Sequence, residues 1–123
     1  MKFQVGVTLG MLAFGVTASA HHSYAMFDRT RDVLVSGTVV SWHWGNPHAQ
    51  LVMAAPAADG KMTDWLLEGG SAEVLRNQGW SRDFIKVGEK ISVHVSPLKN
   101  GSAGGQIMSV VIDGRTYIAE RKR

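Results

Sequence analysis

The sequence predicts an all-β fold: a small five-stranded Greek-key barrel of the OB type with one short helix between strands 3 and 4. Three observations predict it. Five segments rich in β-branched and aromatic residues follow one another, turn residues bound each of them, and a single helical signature falls between the third and the fourth. An open β-sandwich of the same strands is the competing architecture.

The first strand runs from Val33 to Trp44, long for a strand, with Gly37 placed where a bulge or sharp bend is needed. Gly45-Asn46-Pro47 ends it. Strand 2 covers Ala49 to Ala55, the loop from Pro56 to Gly60 turns the chain, and strand 3 returns from Lys61 to Glu68. Ser71 then caps a helix of about two turns that Gly79 closes, with Glu73 well placed against the helix dipole. Strand 4, Glu89 to Ser96, alternates Ile91, Val93 and Val95 inward with Ser92, His94 and Ser96 outward. Strand 5 runs from Gln106 to Ile112, and Asp113-Gly114 turns the chain after it. In an OB barrel the ligand face lies on strands 2 and 3, between the loops joining strands 1–2 and strands 4–5. Those loops are here Gly45 to His48 and Lys99 to Gly105.

The organisation is one domain preceded by an address. Lys2 provides a short positive start, Val5 to Val16 is an apolar run, and Ala18-Ser19-Ala20 is a small-x-small cleavage pattern, the signature of a secretory signal peptide. Residues 1–20 are thus expected to be removed, 21–32 to form an extended N-terminal arm, 33–118 the barrel domain and 119–123 a basic tail. The expected location is the periplasm. No later segment reaches the roughly 20 apolar residues of a membrane helix, so no membrane insertion is expected after cleavage. With no cysteine, disulfides, thiolate metal sites and cysteine nucleophiles are excluded. The net charge of +3 comes from Lys2 and from Arg121, Lys122 and Arg123 against Glu120, so the middle of the chain is neutral and no nucleic-acid partner is expected.

Several motifs carry a resemblance: His21-His22-Ser23-Tyr24-Ala25-Met26-Phe27-Asp28 directly after the leader, Gly37-Thr38-Val39, Asn46-Pro47-His48, Glu68-Gly69-Gly70-Ser71, Gly79-Trp80 and Gly104-Gly105. The chain resembles a family of small, uncharacterised secreted bacterial proteins over nearly all of its mature length. The resemblance implies export and carries no activity with it. One departure is the Gly70-Ser71-Ala72 helix start, where the family pattern has Ser-Pro.

Histidine and carboxylate supply the chemistry. His21, as a new N-terminus, offers an α-amine (about 8 in free peptides) and an imidazole to one metal ion, and His22 adds a second ring. Nitrogen ligands in a tetragonal arrangement favour Cu(II), so copper is the expected cofactor. His48 follows the Asn-Pro turn at the barrel mouth, and strand 3 returns Glu68 to the same end, making these two neighbours by topology. The metal candidates are His21, His22, His48 and Glu68. A purely structural alternative has His48 bonding the turn backbone and Glu68 capping the helix. Strand 1 spans roughly 40 Å and begins at the far end, so a site shared with the N-terminus demands an extended arm.

Trp42, Trp44 and Asn46 are the ligand-binding candidates at the same mouth, with Trp42, Trp44 and Trp65 able to stack on sugars or bases or else to cover the core. Trp80 reads as a barrel plug. Met26, Met53, Met62 and Met108 are soft donors for Cu(I) or simple core filler. The loop Asn100 to Gly105 lacks the Lys-Ser/Thr end of a phosphate loop, and no G-x-S-x-G elbow is present. The leading expectation is a periplasmic module binding a transition metal. The alternatives are a metal-free module that holds a periplasmic protein segment, a glycan or a small apolar ligand, and a small metal-dependent enzyme. The leader predicts that the intact mass of exported protein corresponds to His21 through Arg123. Retention of residues 1–20 would remove the free His21 amine and the metal expectation with it.

Overall fold

A computed structural model describes residues 24–120. Six strands and one helix follow a short 3-10 turn at Tyr24–Met26: β1 (Val33–His43), β2 (Gln50–Pro56), β3 (Met62–Glu68), α1 (Ala72–Asn77), β4 (Lys90–Pro97), β5 (Gly104–Ile112) and β6 (Arg115–Ile118). The hydrogen-bonded order is β3-β2-β1-β4-β5-β6, and an additional parallel pairing of β3 with β5 closes the first five into a barrel. The architecture is the OB-like barrel that the strand pattern predicts, with the helix between β3 and β4. The sixth strand was not expected. It pairs with β5 outside the ring, and the Asp113-Gly114 turn that leads into it has both residues at positive φ, as a two-residue hairpin requires.

Alternation decides which side chains fill the barrel. Val35 and Val39 from β1, Leu51 and Met53 from β2, Val93 and Val95 from β4 and Ile107 from β5 are buried together, with Leu75 of the helix and Trp80 closing one end. The indole Nε1 of Trp80 donates to the carbonyl of Ile118 at 2.9 Å, so the plug also ties down β6. The bulge lies at Val40, between the paired residues Val39 and Ser41, and not at Gly37. Gly37 serves close approach instead, because a Cβ there would collide with the Ala54 carbonyl and lie 2.9 Å from the Ala55 Cβ.

One outward position is covered, and one further expectation is corrected. Ser96 faces away from the barrel interior, as its alternation with Val95 requires, yet it is fully buried. The arm is not extended over residues 24–32. It turns at Tyr24–Met26, bridges Phe27 to Leu98, and bonds Asp28 N to the Pro97 carbonyl at 2.7 Å and Lys99 N to the Met26 carbonyl at 2.9 Å. Hydrogen bonds from the Thr30 hydroxyl (2.6 Å) and amide (3.1 Å) shape the next turn and hold the Asp28 carboxyl below its usual range. That support is present above the ordinary carboxylate range and is lost only as pH falls through the lowered value.

The close β1–β2 approach predicts that Gly37→Ala lowers stability by about 1–3 kcal/mol, as overpacking does. An unchanged urea midpoint would show that the strands can part without cost.

Candidate functional site

The mouth is built by a backbone clamp. Ala49 N donates to the Gly70 carbonyl and Gly69 N to the Ala49 carbonyl, both at 2.8 Å, which locks the loop before β2 against the segment after β3. The clamp sets His48 beside Glu68, with Nδ1 at 3.3 Å from Oε1. His48 Nδ1 is also 3.1 Å from the Gly69 carbonyl. A carbonyl can only accept, so Nδ1 carries the proton, and in the neutral ring the lone pair is on Nε2. A histidine whose second nitrogen donates to a carbonyl or carboxylate is oriented as metal-bound histidines are.

The structural alternative is present in half. His48 does bond the turn backbone, but the helix cap comes from elsewhere: Ser71 Oγ accepts from Val74 N at 3.1 Å, and Ala72 N donates to the Gly45 carbonyl (3.1 Å) and to Asn46 Oδ1 (3.2 Å). Asn46, expected to bind ligand, thus braces the loop against the helix across a cis Asn46–Pro47 bond.

Register extends the site beyond the two expected residues. His43 pairs with Gln50, Gln50 with Glu68, Glu68 with Gln106, and Gln106 with Ser96. Alternation against the buried Leu51, Leu67, Ile107 and Val95 puts this polar row on the outside of the barrel, one residue from each of its five strands. His43 and Gln50 are exposed, whereas Ser96 and Gln106 are buried where the arm returns past Pro97 and Leu98. Tyr24, Phe27, His48, Glu68, Gly69, Gly70 and Gln106 enclose a cavity of about 10 Å³, room for one water-sized guest. Gln106 Oε1 and Ser96 Oγ are buried and have no hydrogen-bond partner among the described residues.

The arm therefore reaches the mouth without spanning the barrel. The start of β1 lies beside the end of β4 (Val33 with Val95), β4 beside the start of β5, and the seam joins the start of β5 to the end of β3. The far-end estimate took the strands as parallel staves; the shear of a closed barrel brings the two ends together.

The remaining histidines sit apart. His94 Nδ1 is 3.0 Å from Asp32 Oδ1 on the β1–β4 surface, and the His43 ring lies over Gly45. Among the described residues no group of three or more His, Asp or Glu side chains is arranged to hold a metal. His21 and His22 lie outside the described residues. The described methionines are dispersed: Met53 and Met108 are buried, while Met26 and Met62 are exposed on different elements.

The tryptophans cover the core. Trp44, Trp42, Trp80, Phe84 and Tyr117 form a continuous ladder with successive ring centroids 6.1, 6.2, 4.8 and 4.8 Å apart. Trp42 Nε1 donates to the Arg82 carbonyl at 3.1 Å, Trp65 Nε1 to the Pro56 carbonyl at 3.2 Å, and Arg76 lies over the Trp44 ring.

The profile of a family of unknown function, DUF6152, matches residues 9–108. The chain belongs to that family. No curated protein and no solved structure matches it. For this member of DUF6152, the Trp42 packing predicts that Trp42→Ala lowers the unfolding free energy by about 2–3 kcal/mol. Calorimetry on the variant checks it; a loss below 0.5 kcal/mol on the order of a free surface substitution would return Trp42 to the ligand-binding candidates.

Proposed function

We propose that this chain is an exported, periplasmic copper-binding module whose site is assembled from His21, His22, His48 and Glu68. The observation that carries the proposal is the orientation of His48, whose Nδ1–H is committed to the Gly69 carbonyl beside Glu68. With the proton on Nδ1 the lone pair of the neutral ring is on Nε2, and the Glu68 carboxylate borders the same cavity. Tyr24 lines that cavity, and from it the chain has only three residue steps, roughly 11 Å at full stretch, in which to bring His21 to the site. An N-terminal amine and up to three imidazoles form the nitrogen-rich donor set that Cu(II) prefers.

A metal-free interaction module is favoured by a different feature. Leu66 and Met62, 65% and 67% exposed, lie on the outer face of β3, and a groove of about 190 Å³ runs along Gln50, Val52, Leu66 and Glu68 beside the site. A peptide or apolar ligand held there would owe little to protonation.

Calorimetric titration of the processed protein with Cu(II) separates the two. Affinity is expected to fall steeply between about pH 8 and 5, because amine and imidazoles must lose protons to bind. One extra residue before His21 is expected to weaken binding by at least about tenfold without altering the melting temperature. Equal affinity and an unchanged pH profile in the extended protein would remove the amine from the site and leave the interaction module as the better account.

A further inference from the structure

The helix and Trp80 close one end of the barrel. At the other end, where β1 begins and β2 and β4 finish, Val33, Leu34, Pro56, Trp65, Pro97 and Leu98 line a depression of about 350 Å³, a size ordinary for small-ligand sites. It shares no lining residue with the cavity at His48 and Glu68 or with the groove along β2 and β3. Trp65 is a fixed part of this wall. Its ring packs against the core and its N–H donates to the Pro56 carbonyl at 3.2 Å, so the indole face asks for no polar partner. Leu34, 55% exposed, adds an aliphatic side chain that the fold leaves in water.

Arg31 is the one charged residue of this lining among the described residues. It is exposed, and among the described residues it makes neither a salt bridge nor a side-chain hydrogen bond. The carboxylates of the same arm are engaged elsewhere: Asp32 pairs with His94, and Asp28 is held low first by its two Thr30 hydrogen bonds and only in smaller part by the charge of Arg31. We propose that this end of the barrel binds a small organic monocarboxylate, its apolar body against Trp65 and Leu34 and its carboxylate on the Arg31 guanidinium. The planar fork of an arginine matches a carboxylate with two parallel hydrogen bonds, and the apolar wall supplies the burial that a surface ion pair alone lacks. A neutral apolar ligand would leave the guanidinium unused, a multiply charged anion would find a single cation, and a peptide would bring backbone groups to walls with few partners for them. The proposal is independent of the copper reading, since no residue is common to the two sites.

The test is titration of the processed protein at pH 7 with sodium octanoate, followed by calorimetry and by the resonance of the Trp65 indole N–H. Octanol, which has the body without the charge, and acetate, which has the charge without the body, are the comparisons. Octanoate is expected to bind saturably and to shift the Trp65 resonance, octanol to bind about tenfold more weakly, and acetate to leave the resonance in place. Arg31→Gln is expected to bring octanoate down to the affinity of octanol, with the melting temperature unchanged because the residue is exposed. Arg29→Gln, on the same arm but outside the lining, is expected to match wild type. Equal binding of octanoate and octanol by wild type, which needs no variant, would overturn the proposal, as would octanoate binding that ignores Arg31→Gln or the absence of saturable octanoate binding. Sedimentation in which wild type dimerises and Leu34→Glu is monomeric would give the depression to a second copy of the chain and overturn it equally.

Discussion

The parallel contact between β3 and β5, Leu66 with Gly104, Leu67 with Gly105 and Glu68 with Gln106, turns a twisted sheet into a barrel. Two glycines make it possible. A Cβ on Gly104 would stand 2.8 Å from the Leu66 carbonyl, and one on Gly105 would collide with the Ser96 carbonyl and the Val95 side chain. With any larger residue the strands could not approach to hydrogen-bonding distance, and β3 would remain an open edge with unpaired backbone groups. The closure is also what sets Glu68 against Gln106, and so what places a loop histidine, a β3 carboxylate and a β5 amide around one opening.

The same seam explains the route of the N-terminal arm. Backbone bonds from Asp28 to Pro97 and from Lys99 to Met26 attach the arm to the β4–β5 connection, which the closure has already carried to the end of β3. The arm then covers the outer face where Ser96 and Gln106 lie, and two polar side chains that alternation assigns to solvent become buried. Arg29 contributes little to this attachment: its 3.8 Å pairing with Glu120 is a surface contact of small weight, and the backbone bonds and the Phe27 side chain hold the segment.

Local pattern carried most of the barrel. Ile91, Val93 and Val95 alternate because one face of β4 meets the core and the other does not, and that physics is visible in eight residues. The helix was equally legible, since Ser71 and Gly79 supply the chemistry that starting and stopping a helix requires. Quantities set by closure were not. Whether the bulge falls at Gly37 or Val40, whether Ser96 meets water, and how far the arm must travel all depend on shear, which no single strand records. Gln106 stood at the expected start of a strand with nothing local to distinguish it. Its one signal was a lone polar residue ahead of an apolar run, too common to single out. The His48–Glu68 pair was legible because it needs only the return of a hairpin, β2 with β3, to bring its members to one end.

The aromatic and imidazole groups near the mouth divide the work by how their polar atoms are committed. Each of Trp42, Trp65 and Trp80 spends its only donor, the indole N–H, on a backbone carbonyl, so its packing and its hydrogen bonding serve the fold together. Histidine has two ring nitrogens and divides differently. The bond from His48 Nδ1 to Gly69 secures the turn, and by placing the proton there it fixes the lone pair on the opposite nitrogen. Bracing the loop and fixing the tautomer are then a single arrangement of one ring. An asparagine in its place could brace the turn equally well, but it would carry no second ring nitrogen.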